Sequence, residues 1–372
     1  MPIRLGVVGL SKNRGWAASN LIPPIFASPL SDSFTLTALI GSSPASAAAS
    51  ADHFSELAKR EVKAYHGSTE AISADPDVDV VVVSVKVTEH VDAVMPAIKA
   101  GKNVFVEWPL GKNLAEARTI AQAARERGVR TMVGLQGWQG PPYVKARESD
   151  LLGTGKIGRV ISTSWNGMYI CNCYPMVRRV VLNICLGGTY LDILIAHALS
   201  AMTFVLGKLH RVSATTVSGF PEIRVASSFT AVNGKTLPND LPDQWALTGI
   251  FTSGALFSAS WLSLGASLAP GQPALAWEIV GTQGKIRVEA TRPATAHGPC
   301  VHPPDTVFLN GERVDFEEEN VAQTTTGRAW EAFASGVKGS YPTFEDAVQL
   351  HQLVEAIKKS DVEGRAVDVN EI

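Results

Sequence analysis

The chain has 372 residues, enough for two domains of about 150 residues each or one large one, and for a core that needs neither disulfides nor a structural metal. At 45% hydrophobic and 18% charged, it has the composition of an ordinary soluble globular protein. With 33 Lys plus Arg against 35 Asp plus Glu, the net charge is −2, which offers no basic footprint for nucleic acid and no pull towards a membrane surface.

The first third alternates strands and helices. Arg4–Gly9 is a short apolar run ending in glycine, which reads as a buried parallel strand. Phe34–Ile40 is a second strand, followed by an alanine-rich helix from Pro44 to about Arg60. Turn chemistry at Asp75-Pro76 precedes Val78–Ser84, the most strand-like segment of the chain. His90–Ala100 is a helix closed by Gly101, Asn103–Glu107 a strand, Ala115–Arg127 a helix closed by Gly128, and Arg130–Gly134 a strand. Strands separated by crossover helices predict an α/β domain built on a doubly wound parallel sheet.

After about Gln136 the pattern changes. A helix over Tyr143–Leu152 leads through Gly153–Gly158 into the strand-like Val160–Trp165. From about Val212 to Val288, alternating runs such as Trp245–Phe251, Ala255–Trp261 and Trp277–Val288 follow one another, the last holding a hairpin turn at Gly281–Gly284. Strands in succession predict a large, mostly antiparallel open sheet. The helix Leu186–Gly207 would cover one face, leaving an apolar face for a second subunit and so a homodimer or higher homo-oligomer. Helical segments over Gly327–Gly336 and Phe344–Ser360 end the chain, while Leu268–Pro273 and Arg292–Pro304 read as loops. The expected division is therefore residues 1–135 and 136–372.

Cys171 and Cys173 are one residue apart and Cys185 and Cys300 stand alone, so there is neither a disulfide framework nor zinc spacing. The opening apolar stretch stops at Ser11 and Lys12, too short for a signal-peptide core, and Tyr190–Leu206 carries Asp192 and His197 and is too short to span a bilayer. A cytoplasmic protein is expected.

A phosphate-binding turn should follow the first strand, because glycines there let the backbone approach a pyrophosphate at a helix N-terminus. The turn here runs from Gly6 through Gly9, Leu10, Ser11, Lys12 and Arg14 to Gly15 and Trp16; its spacing is not GxGxxG, and its placement is what marks it. Lys12 and Arg14 can add charge-assisted bonds to phosphate or stand as solvated loop charges. After the second strand, Ser42 and Ser43 occupy the place where a carboxylate would bind the adenosine ribose of NAD, and hydroxyls there favour NADP over NAD as the cofactor.

These segments resemble the glucose–fructose oxidoreductase / inositol dehydrogenase (Gfo/Idh/MocA) family. The likeness lies in Asp75–Ser84 leading to His90, in Ala100–Leu110 with Glu107, Trp108 and Pro109, and in Lys156–Gly158. It continues through Gly187-Gly188 before His197, Trp277–Ile286 and Tyr341–Ala347, spanning nearly the whole chain in family order. The resemblance implies an N-terminal Rossmann NAD(P)-binding domain and a C-terminal α/β domain for substrate and oligomerisation. Within the family, Gly9–Ala17, Phe105–Trp108 and Leu135–Gly137 look like the fungal galactose-regulon repressor branch, which binds NAD(P) as a signal and contacts a transcription activator.

Two departures stand at the catalytic positions that the family implies. Its Glu-Lys-Pro triplet is Glu107-Trp108-Pro109 here, and an indole donates a hydrogen bond but cannot exchange a proton at neutral pH. Trp108 would stack over the nicotinamide, wall the pocket, or pack at a domain interface. The family's Asp and His, one helical turn apart, become Asp192 and His197, five residues apart. On an ideal helix that is about 140° of rotation, which a local irregularity would undo; otherwise Asp192 caps or pairs inside the core. His197 then stands as general acid/base or substrate ligand. Lys86 follows the fourth strand beside Ser84 and Val85, where an ammonium could handle the displaced proton, contact the cofactor or face solvent. The resemblance also implies that Gln136 stands where the family often has an asparagine near the substrate, and that Tyr169, Tyr174 and Arg178 lie in the segment that usually borders the substrate pocket. The resulting expectation is an NAD(P)-dependent oxidoreductase acting on a small polar substrate. The alternative is a catalytically silent dinucleotide sensor that binds a regulatory protein.

Overall fold

The computed structural model describes the chain except residues 14, 148–151, 153, 154, 171, 172, 176–188, 229, 230, 240, 265–268, 270, 291–305 and 316–323. Among the described residues, the chain forms two units. The first comprises Met1–Gln136 and Glu319–Gln349, the second Gly137–Glu318 and Leu350–Ile372. The fold is α/β.

In the first unit, β1 (Ile3–Val8), β2 (Phe34–Gly41), β3 (Lys63–His66), β4 (Val80–Val83), β5 (Asn103–Glu107) and β6 (Thr131–Gly134) make one sheet in the order β3-β2-β1-β4-β5-β6. Every neighbouring pair is parallel. The order reverses between β1 and β4, the switch point of a doubly wound sheet. Val80–Val83 is buried throughout, as a parallel strand covered on both faces must be. The crossovers carry α1 (Leu30–Ser33), α2 (Pro44–Ala58), α3 (Glu70–Ala74), α4 (His90–Lys99) and α5 (Leu114–Arg127). The α2 helix starts where the Ser43 hydroxyl accepts the Ser46 N–H, and it stops at Lys59 in the left-handed region.

Two features depart from the sequence reading. After β1 the chain makes a five-residue π turn (Ala17–Leu21) and a 3-10 turn (Pro23–Phe26) where a full helix was expected. Pro23 and Pro24 bring no N–H and cut the helix short, so little macrodipole stands behind the glycine turn. The boundary after residue 135 also leaves out a return of the chain, because the helix Thr325–Ser335 lies in the first unit. Its Trp330 is fully buried, donates its indole N–H to the Leu21 carbonyl at 2.8 Å, and packs its ring on Phe34 and Phe105 at 5.3 and 5.2 Å.

The second unit contains α6 (Pro141–Arg147), β7 (Val160–Ile170), β8 (Cys173–Pro175), α7 (Ala196–Leu206) and then a run of strands. These are β9 (Leu209–Val217), β10 (Glu222–Ser228), β11 (Ala231–Pro238), β12 (Gln244–Phe251), β13 (Leu256–Leu264), β14 (Leu275–Gly281), β15 (Lys285–Ala290), β16 (Thr306–Leu309), β17 (Glu312–Val314) and β18 (Val367–Asp368). A large sheet runs β17-β16-β15-β14-β7-β13-β12-β9-β18, antiparallel except for β7 with β13, and β11-β10-β8 form a small one. Trp165, Trp261 and Trp277 are buried on one face of the large sheet, and Tyr143 of α6 lies against Trp277. The opposite face is mixed where an apolar one was expected. It presents Ser162, Ser164 and Asn166 of β7, Ser258 and Ser260 of β13, and the Glu278–Arg287 ion pair, together with the apolar Met168, Val217, Ile250, Leu256, Leu262 and Val280. No helix among the described residues is long and apolar enough to cross a membrane.

Candidate functional site

The candidate site of the first unit lies at the carboxyl ends of β1, β4, β5 and β6. Gly9 has φ +92°, and a Cβ there would collide with the Ser84 carbonyl and sit 2.8 Å from Val85 Cγ1. Only glycine lets the turn after β1 lie this close to the loop after β4. Gly15 has φ +114° with open space around it, so its requirement is conformational. Gly6 lies inside β1 against Val78 and Ile72, where it serves packing. Leu10 is buried, Ser11 half-buried and Lys12 exposed. The Lys12 backbone N–H donates to Ser50 Oγ of α2 at 3.3 Å, which pins the turn. Ser42 is exposed at the end of β2, whereas the Ser43 hydroxyl is taken by the helix cap. Arg14 lies outside the described residues.

The turn delivers Trp16, whose indole N–H donates to Glu107 Oε1 at 2.8 Å. Glu107 ends β5, opposite Gly134 of β6, and a Cβ at residue 134 would run into Glu107 Oε2. The glycine makes room for the carboxyl group. Gln136, itself buried, donates from Nε2 to both Glu107 oxygens at 3.3 and 3.2 Å. Burial pushes the Glu107 carboxyl up to about 7 against the pull of the Trp16, Gln136 and Trp108 N–H donors, because every donor is neutral. Three segments far apart in sequence thus converge on one acid that titrates near neutrality.

Trp108 is buried beside it and joined to Pro109 by a cis peptide bond. His90 opens α4 between two loops, with Nδ1 2.9 Å from the Pro109 carbonyl and Nε2 3.3 Å from the Val85 carbonyl. At 1% exposure, with its pKa held below the usual histidine value by burial, the ring braces those loops instead of facing a ligand. Lys86 is exposed, and Ser84 and Val85 are half-buried.

In the second unit, Leu191–Ile195 is a π turn closed by the Ile195 N–H on the Tyr190 carbonyl at 3.0 Å, leading directly into α7. This is the irregularity that a five-residue spacing calls for. Both Asp192 oxygens are nevertheless engaged within the unit. Oδ1 meets Lys358 Nζ at 2.7 Å, while Oδ2 accepts from Thr189 N at 3.1 Å and from Thr189 Oγ1 at 2.6 Å. His351 is buried nearby, and burial pushes its ring down to about 4. Burial works to lower Lys358 too, but Asp192 overcomes it and the ammonium is held above its ordinary value. The half-buried positions of this stretch are Ile193 and His197, four apart, while Asp192 is turned to Lys358. Sequence reasoning missed Lys358 and His351, because nothing in the pattern of the last helix (Phe344–Glu363) marks them as partners of Asp192. The side chains of Tyr169 and Tyr174, the whole of Arg178, and the four cysteine side chains fall outside the described residues.

The fold and the strand-end site together define a dinucleotide-fold protein with a mostly antiparallel second unit. Residues 3–135 match the oxidoreductase family Gfo/Idh/MocA, described as having an NAD-binding Rossmann fold, and residues 142–290 match the Gal80p C-terminal domain. The dehydrogenase aclE of Aspergillus oryzae is 33% identical, over 98% of this chain and 97% of that protein. The galactose/lactose metabolism regulatory protein GAL80 of Saccharomyces cerevisiae is 24% identical over 100% of this chain and 95% of its own length. The crystal structure of a super-repressor mutant of Gal80p from the same yeast has a TM-score of 0.86 at 24% identity, covering 99% of this chain and 98% of that one. A levoglucosan dehydrogenase in complex with NADH and L-sorbose superposes with a TM-score of 0.75 at 18% identity, covering 99% of each chain. The protein belongs to the Gfo/Idh/MocA oxidoreductase family, on the branch that carries a Gal80-like C-terminal domain.

Proposed function

We propose that the protein is an NAD(P)-dependent oxidoreductase that moves hydride to or from a small polar substrate. The observation that carries this reading is the turn at Gly9 and Gly15. It sits at the switch point of a parallel sheet and approaches the loop after β4 so closely that no side chain fits. The end-to-end relative named a dehydrogenase supports it, as does the fold shared with a protein whose complex holds NADH. Gly9, Leu10, Ser11 and Gly15 would hold the pyrophosphate, with Lys12 adding charge. Ser42, with no carboxylate beside it, would leave room for the 2′-phosphate of NADP, while NAD remains the family's cofactor. The bound nicotinamide supplies the hydride chemistry; Trp108 would form a wall of its site and Gln136 and Glu107 a floor. His197, half-buried on α7, would act on the substrate and Lys86 on the ribose, while Asp192 holds Lys358. The open sheet face would pair two copies.

The second reading is a silent, dinucleotide-sensing regulator of the Gal80 type that binds another protein. Trp108 in place of the family lysine and Asp192 committed to Lys358 favour it. A panel of aldehydes, ketones, imines and sugars offered with NADPH and NADH separates the two. Oxidation of either cofactor, with kcat falling at least about tenfold in His197→Ala, is expected of the enzyme. Saturable binding without turnover, together with capture of an activation-domain peptide, would replace it with the regulator.

A further inference from the structure

Glu107 is an unusual acid for the end of a parallel strand. Its partners among the described residues are an indole, a primary amide and a backbone N–H, so none of them compensates its charge with an opposite one. Among the described residues, the charged and titratable groups of the neighbouring loops are directed elsewhere; Arg14 of the glycine turn lies outside them. His90 of α4 lies on the Val85 and Pro109 carbonyls, Lys86 after β4 is exposed, and Lys12 of the glycine turn is exposed. Yet Glu107 keeps some accessible surface at the carboxyl end of β5, so a ligand over the strand ends can reach its field.

A doubly wound sheet divides its ligand. The half built from β1, β2 and β3 takes the adenosine side, and the half built from β4, β5 and β6 takes the other mononucleotide. On the dinucleotide reading given above, which this inference rests on, the nicotinamide half lies over the strand that Glu107 ends. The oxidised ring carries a positive charge and the reduced ring none. We propose that Glu107 makes the site a discriminator of cofactor redox state, favouring the oxidised dinucleotide when its carboxyl group is ionised and losing that preference when it is protonated. The same arrangement serves an enzyme choosing its direction of hydride transfer and a regulator reading the redox balance of the pool.

The linkage has a definite sign. A cation placed near a neutral-partnered carboxyl stabilises its ionised form, so binding of the oxidised cofactor below about pH 7 expels a proton, whereas binding of the reduced cofactor does not. The gap in affinity between the two forms therefore widens as pH rises through neutrality and then levels.

The test uses the full chain, titrated with NADP+, NADPH, NAD+ and NADH between pH 6 and 8.5 by calorimetry in two buffers of different ionisation enthalpy. The preference for the oxidised over the reduced form should rise about tenfold across this range, with up to one proton released on binding the oxidised form near pH 6.5. Glu107→Gln, which keeps the hydrogen-bonding shape, should abolish both the slope and the proton release. Saturable binding of both forms with a flat ratio in the unaltered protein would overturn the inference and leave the dinucleotide reading standing. A slope that persists in Glu107→Gln would do the same. Failure of every dinucleotide to bind at any pH would remove both, and proton counting on the unaltered chain decides the matter even if the variant folds poorly.

Discussion

Two acids, Glu107 of the first unit and Asp192 of the second, meet burial in opposite ways. Asp192 has an ammonium at 2.7 Å and a threonine holding its second oxygen, so its charge is matched inside the fold. Glu107 has only dipoles as partners among the described residues, and burial raises it to about 7. The difference is one of purpose. A matched charge fixes a helix to its neighbour, whereas an acid balanced near neutrality responds to whatever charge arrives.

The largest expected effect breaks the matched site. Lys358→Met leaves Asp192 buried against Thr189 with no counter-charge and should cost about 3 kcal/mol in urea unfolding; Asp192→Asn added to it should restore most of that loss. Equal losses in the single and double variants would show that the pair contributes nothing as a pair. At Glu107 the shift works on pH dependence. The neutral acid's contribution is full below about pH 4.5, its unfolded value, and is lost as pH rises through about 7, so Glu107→Gln should be more stable than the parent by about 1–3 kcal/mol at pH 8 and nearly equal at pH 5. A stability difference independent of pH would contradict the neutral-partner account. The smallest effect concerns His351. With its ring held down to about 4 from 6.5, stability is present above pH 6.5 and drains as pH falls towards 4. His351→Gln should flatten that acid limb by about 1–2 kcal/mol, read from melting curves at pH 4.5 and 7. An unchanged limb would place the acid sensitivity elsewhere.

How far such sites can be read from sequence differs between backbone and side chains. Val80–Val83 announces itself, because a strand buried on both faces must be apolar throughout. Lys63–His66 does not, since this edge strand alternates exposed residues with half-buried ones and resembles a loop in composition. The π turn at Leu191–Ile195 leaves a trace only as a spacing of five between Asp192 and His197, and the trace says nothing of which way Asp192 turns. Glu107 belongs to a recognisable triplet, so its position was legible. Its near-neutral titration was not, because that depends on Trp16, 91 residues away in sequence, and on the room that Gly134 leaves. The mixed character of the open sheet face was hidden for a simpler reason. Period-two alternation tells which residues point the same way, and the Ser-rich register of β7 and β13 turned out to be the outward one.

The return of the Thr325–Ser335 helix to the first unit has a consequence for the order of events at the ribosome. Until Trp330 arrives, the faces of Phe34 and Phe105 that it covers lack their partner, although both strands are made early. At translation speeds of about 5–20 residues per second, the roughly 210 residues between Gln136 and Gln349 take about 10–40 s to emerge. For that interval the nascent first unit carries an uncovered aromatic patch, and the second unit is largely synthesised before the first can close. The chain thus inverts the usual first-made, first-finished order of two-unit proteins, and a fragment ending near residue 135 would keep that patch permanently open to aggregation.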